Sequence, residues 1–187
     1  PAATDGMTLT INIASDVNAG PDSALCEGNT YTLAGTRGGS AVTSTWTTLG
    51  SGTFDNAASL TAVYTPSAGD ILMGTVTLVL TSDDPPGPCA ADDDSITIRI
   101  DLKAAVNAGL DSVICEGTAF VTSGSRGGSA TSSIWTTSGS GSFNDSSLVV
   151  STYTHSPPDV AIGTVYLKLT TNDPIGICPA IFVFKKF

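Results

Sequence analysis

The chain has 187 residues, with 17 acidic against seven basic side chains (formal net charge −10), four cysteines and one histidine. So few Lys and Arg residues cannot track a phosphate backbone, which argues against a nucleic-acid partner, and no apolar run approaches the ~20 residues of a membrane-spanning helix. Four cysteines in a chain rich in Thr, Ser and Gly and poor in Lys read as disulfides formed in an oxidising compartment.

No signal peptide precedes Pro1, which suggests a mature or excised segment. Near the start, Met7–Ile13 (MTLTINI) alternates apolar and polar residues as a strand does. Val17–Cys26 (VNAGPDSALC) follows, and it returns as VNAGLDSVIC at Val106–Cys115. The register is constant: Cys26 with Cys115, Arg37 with Arg126, Trp46 with Trp135, Tyr64 with Tyr153 and Cys89 with Cys178, each pair separated by 89 positions (115 − 26 = 89). Self-similarity at a fixed period marks an array. The same register carries Met7–Ile13 onto Ile96–Leu102, so residues 1–14 read as the last strand of a preceding repeat, 15–103 as repeat one, and 104–187 as a repeat two that is incomplete at its C-terminal end. There the sequence has drifted to IFVFKKF.

Within repeat one, Gly and Pro clusters cut the chain into short alternating runs without sustained helical periodicity, which predicts an all-β fold. Asn29–Gly35 is a strand with Tyr31 and Leu33 inward; Arg37-Gly38-Gly39-Ser40 is a turn. Val42–Thr48 carries Trp46, and Gly50-Ser51-Gly52 turns the chain towards Phe54. Leu60, Ala62 and Tyr64 alternate, Pro66–Asp70 is a corner, and Thr75–Thr81 is the longest strand, with Val76, Leu78 and Leu80 on one face. Asp83–Cys89 (DDPPGPC) is a stiff loop before Ile96, Ile98 and Ile100. Short strands with turn signals every 8–12 residues and a Cys…Trp…Cys order are the pattern of an immunoglobulin-like β-sandwich. One intradomain disulfide is expected in each repeat, Cys26 with Cys89 and Cys115 with Cys178; each closes a loop of roughly 60 residues and contributes on the order of 4 kcal/mol. The short connection Asp101–Ala105 predicts sandwiches laid end to end with restricted bending.

The series VNAGxDxxxCEG, WTTxGSGxF, YT, GTVxLxLT and PxGxC, present in both repeats, resembles the PKD-like, immunoglobulin-like tandem repeats of large secreted Bacteroidota surface proteins, including gliding-motility-type adhesins. The resemblance implies a cell-surface array acting as an adhesin stalk or filament shaft. Its partners would be neighbouring repeats, self-assembly into a filament, or a surface glycan or other cell-surface target. It also implies O-glycosylation at Asp-Ser-aliphatic triplets, which here places candidate sites at Ser23, Ser95 and Ser112; an unmodified turn serine is the alternative.

The chemistry-bearing residues point away from catalysis. His155 is the sole neutral-pH base and its counterpart is Pro66, so no repeated machinery includes it. Calcium is the sharper possibility. Asp83, Asp84, Asp92, Asp93 and Asp94 place five carboxylates within 12 residues, and hard oxygen donors in loops suit Ca²⁺; a solvated acidic loop is the other reading. No cofactor is otherwise required. The tryptophans are assigned to the core, Arg37 and Arg126 to ion pairs, and Asp70 and Asp159 to turn capping. A ligand-binding module, or an accessory domain of a secreted hydrolase, is the rival to a purely structural role. One molecule's Met7–Ile13 strand could complete another's final sheet by strand addition, although a window cut from a continuous array is the simpler expectation.

Overall fold

The computed structural model describes residues 3–186, and the chain divides into two compact units, Pro1–Ile100 and Asp101–Phe187. The outer ends of the expected segments 1–14 and 104–187, at residues 1–2 and 187, lie outside the described residues.

Unit 1 contains β1 (Ser15–Asn18), β2 (Ser23–Cys26), β3 (Tyr31–Thr32), β4 (Thr36–Gly39), β5 (Ser44–Thr48), β6 (Thr53–Phe54), β7 (Val63–Thr65), a short helix α1 (Ala68–Met73), β8 (Thr75–Ser82) and β9 (Asp93–Asp101). Three sheets result, in the orders β2-β9-β8-β5, β3-β7-β6 and β1-β4. Period-two alternation does the sorting: along β8 and β9, Val76, Leu78, Leu80, Ile96, Ile98 and Ile100 all turn inward while their neighbours face water. They meet Trp46 from β5, Leu33, and Tyr64 from β7, with Tyr31 and Phe54 packed at the margin. This is the two-faced core of a sandwich.

Unit 2 repeats the plan with β10 (Ala104–Asn107), β11 (Phe120–Val121), β12 (Ser125–Gly128), β13 (Ser133–Thr137), β14 (Ser142–Phe143), β15 (Thr152–Thr154), α2 (Pro157–Ile162), β16 (Tyr166–Thr171) and β17 (Phe182–Lys186). Its sheets are β13-β16-β17, β11-β15-β14 and β10-β12. Residues 112–115, the counterpart of β2, form no strand. The core is smaller: Trp135, Tyr153, Val165, Leu167, Leu169 and Ala108 are its buried members.

Two local expectations change. Arg37-Gly38-Gly39 is not a turn but most of β4, antiparallel to β1 with Arg37 opposite Val17, and Arg126–Gly128 does the same against β10. Gly39, at φ +62°, lies so close to the Ala14 carbonyl that a side chain has no room, so the glycines serve a tight strand approach. The corner at Pro66–Asp70 opens a six-residue helix, capped by Ser67 at one end and by Gly74 in the left-handed region at the other.

The cysteines differ most from expectation. Cys26 and Cys178 are disulfide-bonded, whereas Cys89 and Cys115 are free thiols. One disulfide therefore stands where one in each repeat was expected, and the pairings Cys26–Cys89 and Cys115–Cys178 are not formed. The reason is distance. Val17 N donates to Asp92 Oδ2, Ala19 N to Asp94 Oδ2 and Thr97 N to Asp22 Oδ1, a steady offset of 75 residues. The segment through β2 thus climbs alongside β9, so Cys26 sits at the Ile100 end while Cys89 precedes the strand's first residue. Nine extended residues separate the two by roughly 30 Å, and a disulfide needs Cα atoms within about 7 Å. Titration of the native protein with a thiol reagent is expected to find two reactive groups, Cys115 faster than the half-buried Cys89, and four only after reduction. Two fully protected pairs would contradict the assignment.

Candidate functional site

The polar constellation that both units share is built on the helix cap. In unit 1, Asp70 is buried and its Oδ2 accepts from Tyr64 Oη (2.8 Å), Ser67 N (2.8 Å) and Ser67 Oγ (2.9 Å), while its Oδ1 accepts from Ser51 N (3.0 Å). Thr48 Oγ1 and Ser51 Oγ extend the network to Tyr64 and Ser67. In unit 2, Asp159 is held by Tyr153 Oη (2.8 Å), Ser156 N (3.0 Å) and Ser140 N (2.8 Å). Burial works against each charge, but the donors outweigh it and leave both carboxyls below their ordinary range, Asp159 at about 2. The tyrosines move the other way: burial first, then the neighbouring carboxylate, raises the Tyr64 and Tyr153 phenols. Sequence spacing identified both aspartates as turn caps; the tyrosine and serine partners were hidden because their contacts depend on how the strands fold back.

Gly50 and Gly139 complete this corner. A Cβ at either would collide with the carboxylate of Asp70 or Asp159. Gly50→Ala is therefore expected to cost about 1–3 kcal/mol by overpacking, read as a lowered urea midpoint. An unchanged midpoint would show that the corner is loose.

The five acidic residues proposed for calcium do not converge. Asp83 Oδ1 accepts from Val42 N and Thr43 N, Asp92 Oδ2 from Val17 N and Asp94 Oδ2 from Ala19 N, while Asp84 and Asp93 point to solvent. The Thr43 amide first, helped by Val42 N and the charge of Arg37, holds the Asp83 carboxyl below its usual range. Among the described residues no group of three or more His, Cys, Asp or Glu side chains forms a metal-capable cluster. Asp92 and Asp94 thus clip the segment through β1 to the start of β9, and Asp83 clips the residues just before β5.

Trp46 and Trp135 are buried at 2 % exposure and offer no face to a sugar. His155 Nε2 accepts from Gly117 N at 3.1 Å and is thereby occupied. Arg126 Nη1 donates to Ser133 Oγ. Of the glycosylation candidates, Ser95 is exposed, and Ser23 and Ser112 are half-buried beside aspartates that accept from strand amides, Asp22 from Thr97 N and Asp111 from Lys186 N.

One feature escaped sequence reading. Unit 2 carries an open apolar groove of about 190 Å³ whose walls include Val113, Ile114 and Cys115 on one side and Gly163, Thr164 and Val165 on the other. Beside it, Lys185 is 2 % exposed, over the ring of Phe120 at 4.6 Å, while Phe182 and Phe184 of the same strand face water. Burial lowers the Lys185 amine and the charge of Asp111 partly restores it. The available signal was register: in the 89-residue repeat Lys185 falls on Ile96, so β17 turns Lys185 inward beside Val183.

No family model matches the chain, and no curated protein sequence matches it. Among solved structures, Drosophila N-cadherin EC1-4 aligns with a TM-score of 0.51 at 13 % identity, covering 94 % of this chain and 49 % of that one. Human CDH23 EC21-23 gives 0.49 at 12 %, covering 94 % and 63 %, and mouse cadherin-23 EC22-24 gives 0.47 at 13 %, covering 94 % and 66 %. The chain thus spans less than two thirds of the length of these structures. At such identity the likeness concerns fold: the protein is an all-β chain of tandem immunoglobulin-like sandwiches.

Proposed function

We propose that the chain is a non-catalytic structural repeat unit of an extracellular cell-surface filament or adhesin stalk. The observation that carries this reading is that the polar constellation common to both units, Tyr64–Asp70 and Tyr153–Asp159, is consumed in holding its own corner. What the repeats have in common is thus a sandwich, and repetition of a sandwich supplies length and stiffness. A disulfide supports an oxidising, extracellular setting, and the acidic surface suits a soluble exposed shaft. The Bacteroidota-like motif series supports a bacterial surface array, with Ser23, Ser95 and Ser112 as glycan acceptors.

Imaging the native assembly tests the proposal. A fibre whose axial period matches one sandwich per 89 residues is expected, and a compact particle with hydrolytic activity would refute it. Intact mass tests the modification: a value above the 18.8 kDa of the polypeptide supports glycans, and an unmodified mass removes them.

A further inference from the structure

We propose that the outward face of the sheet β13-β16-β17 in unit 2 is a contact surface for a second copy of this chain, and that it receives the acidic end of that copy's unit 1, around Asp84 and Asp93. Such a contact joins separate copies and is independent of the shaft reading, which concerns how repeats follow one another within one chain.

Strand alternation sets out the face. Val183 and Lys185 turn inward on β17, so Phe182, Phe184 and Lys186 turn outward, and all three are exposed. The ladder places Phe182 opposite Thr170, Phe184 opposite Lys168 and Lys186 opposite Tyr166, with Ile134 on the far side of Thr170. Ile134 and Tyr166 are exposed as well. At the centre, Lys168 Nζ lies 4.0 Å from the centroid of the Phe182 ring and 5.7 Å from that of Phe184. Aromatic rings hold an ammonium in place without neutralising it, and no carboxylate among the described residues pairs with Lys168.

Unit 1 supplies the comparison. At the register counterparts of Ile134, Tyr166, Lys168, Phe182, Phe184 and Lys186 it has Thr45, Thr77, Val79, Asp93, Ser95 and Thr97. Inward residues of β5 and β8 keep their identity in β13 and β16: Trp46 and Trp135, Leu78 and Leu167, Leu80 and Leu169. A threonine-rich face therefore suffices to build this sandwich, and the fold does not account for three aromatic rings, an isoleucine and two lysines on the same face of unit 2. A contiguous apolar surface edged by charge marks an interaction site.

Charge selects the occupant. Residues 1–101 hold 12 carboxylates and two arginines, a net of −10, whereas residues 102–187 hold five of each sign and balance (2 − 12 = −10; 5 − 5 = 0). The complementary surface is thus on the chain itself. One end of unit 1 gathers Asp83, Asp84 and Asp93: Asp83 takes the amides of Val42 and Thr43, Asp93 lies opposite Thr81, and Asp84 and Asp93 are exposed. Val42, 71 % exposed at the same end, offers an apolar contact to the rings. In unit 2 the counterparts of Val42, Asp83, Asp84 and Asp93 are Thr131, Asn172, Asp173 and Phe182, so each copy carries one acidic end and one aromatic face. Two aromatic faces pressed together would set Lys168 and Lys186 against their own counterparts, and like charges repel. A face-to-end contact sets opposite charges together and leaves one face and one end free on every pair, so it propagates.

The test uses the 187-residue chain with the free thiols Cys89 and Cys115 alkylated, so that association is non-covalent. Sedimentation velocity is expected to show concentration-dependent association that weakens as salt rises. Lys168→Glu, and separately Asp84→Lys/Asp93→Lys, each weaken it by roughly tenfold or more with an unchanged circular dichroism spectrum. An equimolar mixture of those two variants associates again, because each presents the charge that the other's altered surface needs. Phe184→Thr, at an exposed position, weakens association at low and high salt alike. A monomer at every concentration, unimpaired association of Lys168→Glu, or a mixture no tighter than its components would overturn the proposal. So would binding of the monomer to alginate or to phosphatidylserine vesicles that Phe184→Thr abolishes, since the face would then serve a different partner. None of these outcomes bears on the axial period of the native fibre, which tests the shaft reading separately.

Discussion

Trp46→Ala is expected to lower the stability of unit 1 by about 3–5 kcal/mol, a large share of the 5–15 kcal/mol typical of a domain. The ring is 2 % exposed and sits between β8 and the backbone of Gly35, where an added Cβ would lie 2.8 Å from Trp46 Cζ2 and 2.9 Å from Leu80 Cδ2. Its removal leaves a cavity whose floor is bare main chain, and a backbone wall relaxes inward less readily than side chains do. The upper part of the range follows. Trp135 occupies the same niche against Gly124 and Leu169, so Trp135→Ala has a similar cost in unit 2. Urea unfolding followed by far-ultraviolet circular dichroism reads both, and a loss below about 1 kcal/mol would mean that the niche collapses freely. Phenylalanine separates the two sites. Trp135 Nε1 donates to Val149 O at 3.2 Å, whereas buried Trp46 Nε1 has no hydrogen-bond partner among the described residues. Trp46→Phe therefore costs less than Trp135→Phe.

The features legible from sequence are those encoded in local periodicity or in the repeat itself. Alternation in Thr75–Thr81 and Ile96–Ile100, the buried tryptophans and the capping aspartates are all set by residues within a few positions of each other, and the structure holds them. Pairing of the cysteines depended instead on where the chain travels between them. Spacing alone says that 63 residues separate Cys26 from Cys89 (89 − 26 = 63); it does not say that β2 climbs beside β9 and carries them to opposite ends. The acidic run divides for a similar reason. Five neighbouring carboxylates suggest a shared cation, but Asp92 and Asp94 accept from Val17 N and Ala19 N, Asp83 accepts from Val42 N and Thr43 N, and Asp84 and Asp93 face water. Arg37-Gly38-Gly39 read as a turn because glycine usually marks one, yet here glycine is required by the close passage of β1. The groove in unit 2 left only one mark in the sequence, Lys185 at the place of Ile96, and its walls, Val113–Cys115 and Gly163–Val165, are brought together only by the fold.

Asp159→Asn is expected to destabilise unit 2 by about 2–3 kcal/mol at neutral pH, the cost of disrupting hydrogen bonds to a buried charged acceptor. The geometry leaves an amide no good orientation. Oδ1 faces Ser140 N and Oδ2 faces Ser156 N and Tyr153 Oη, so whichever way the side chain turns, its NH₂ group meets a donor. Protonation creates the same conflict, which ties stability to acidity. The folded carboxyl titrates at about 2, below its ordinary value of 3.8. The unfolded chain thus binds the proton first, and the stabilisation is fully present above pH ~5 and fades as pH falls through 4 towards 2. Integrated over that shift it amounts to about 2 kcal/mol, and Asp70, lowered by the same kinds of donor, adds to it. Wild-type protein should therefore lose stability across this acid window, and the double variant Asp70→Asn/Asp159→Asn should start lower and show a flatter profile there. A double variant that keeps the full acid slope would place the responsible carboxylates elsewhere, with Asp83 the next to test because backbone amides and Arg37 also hold it low.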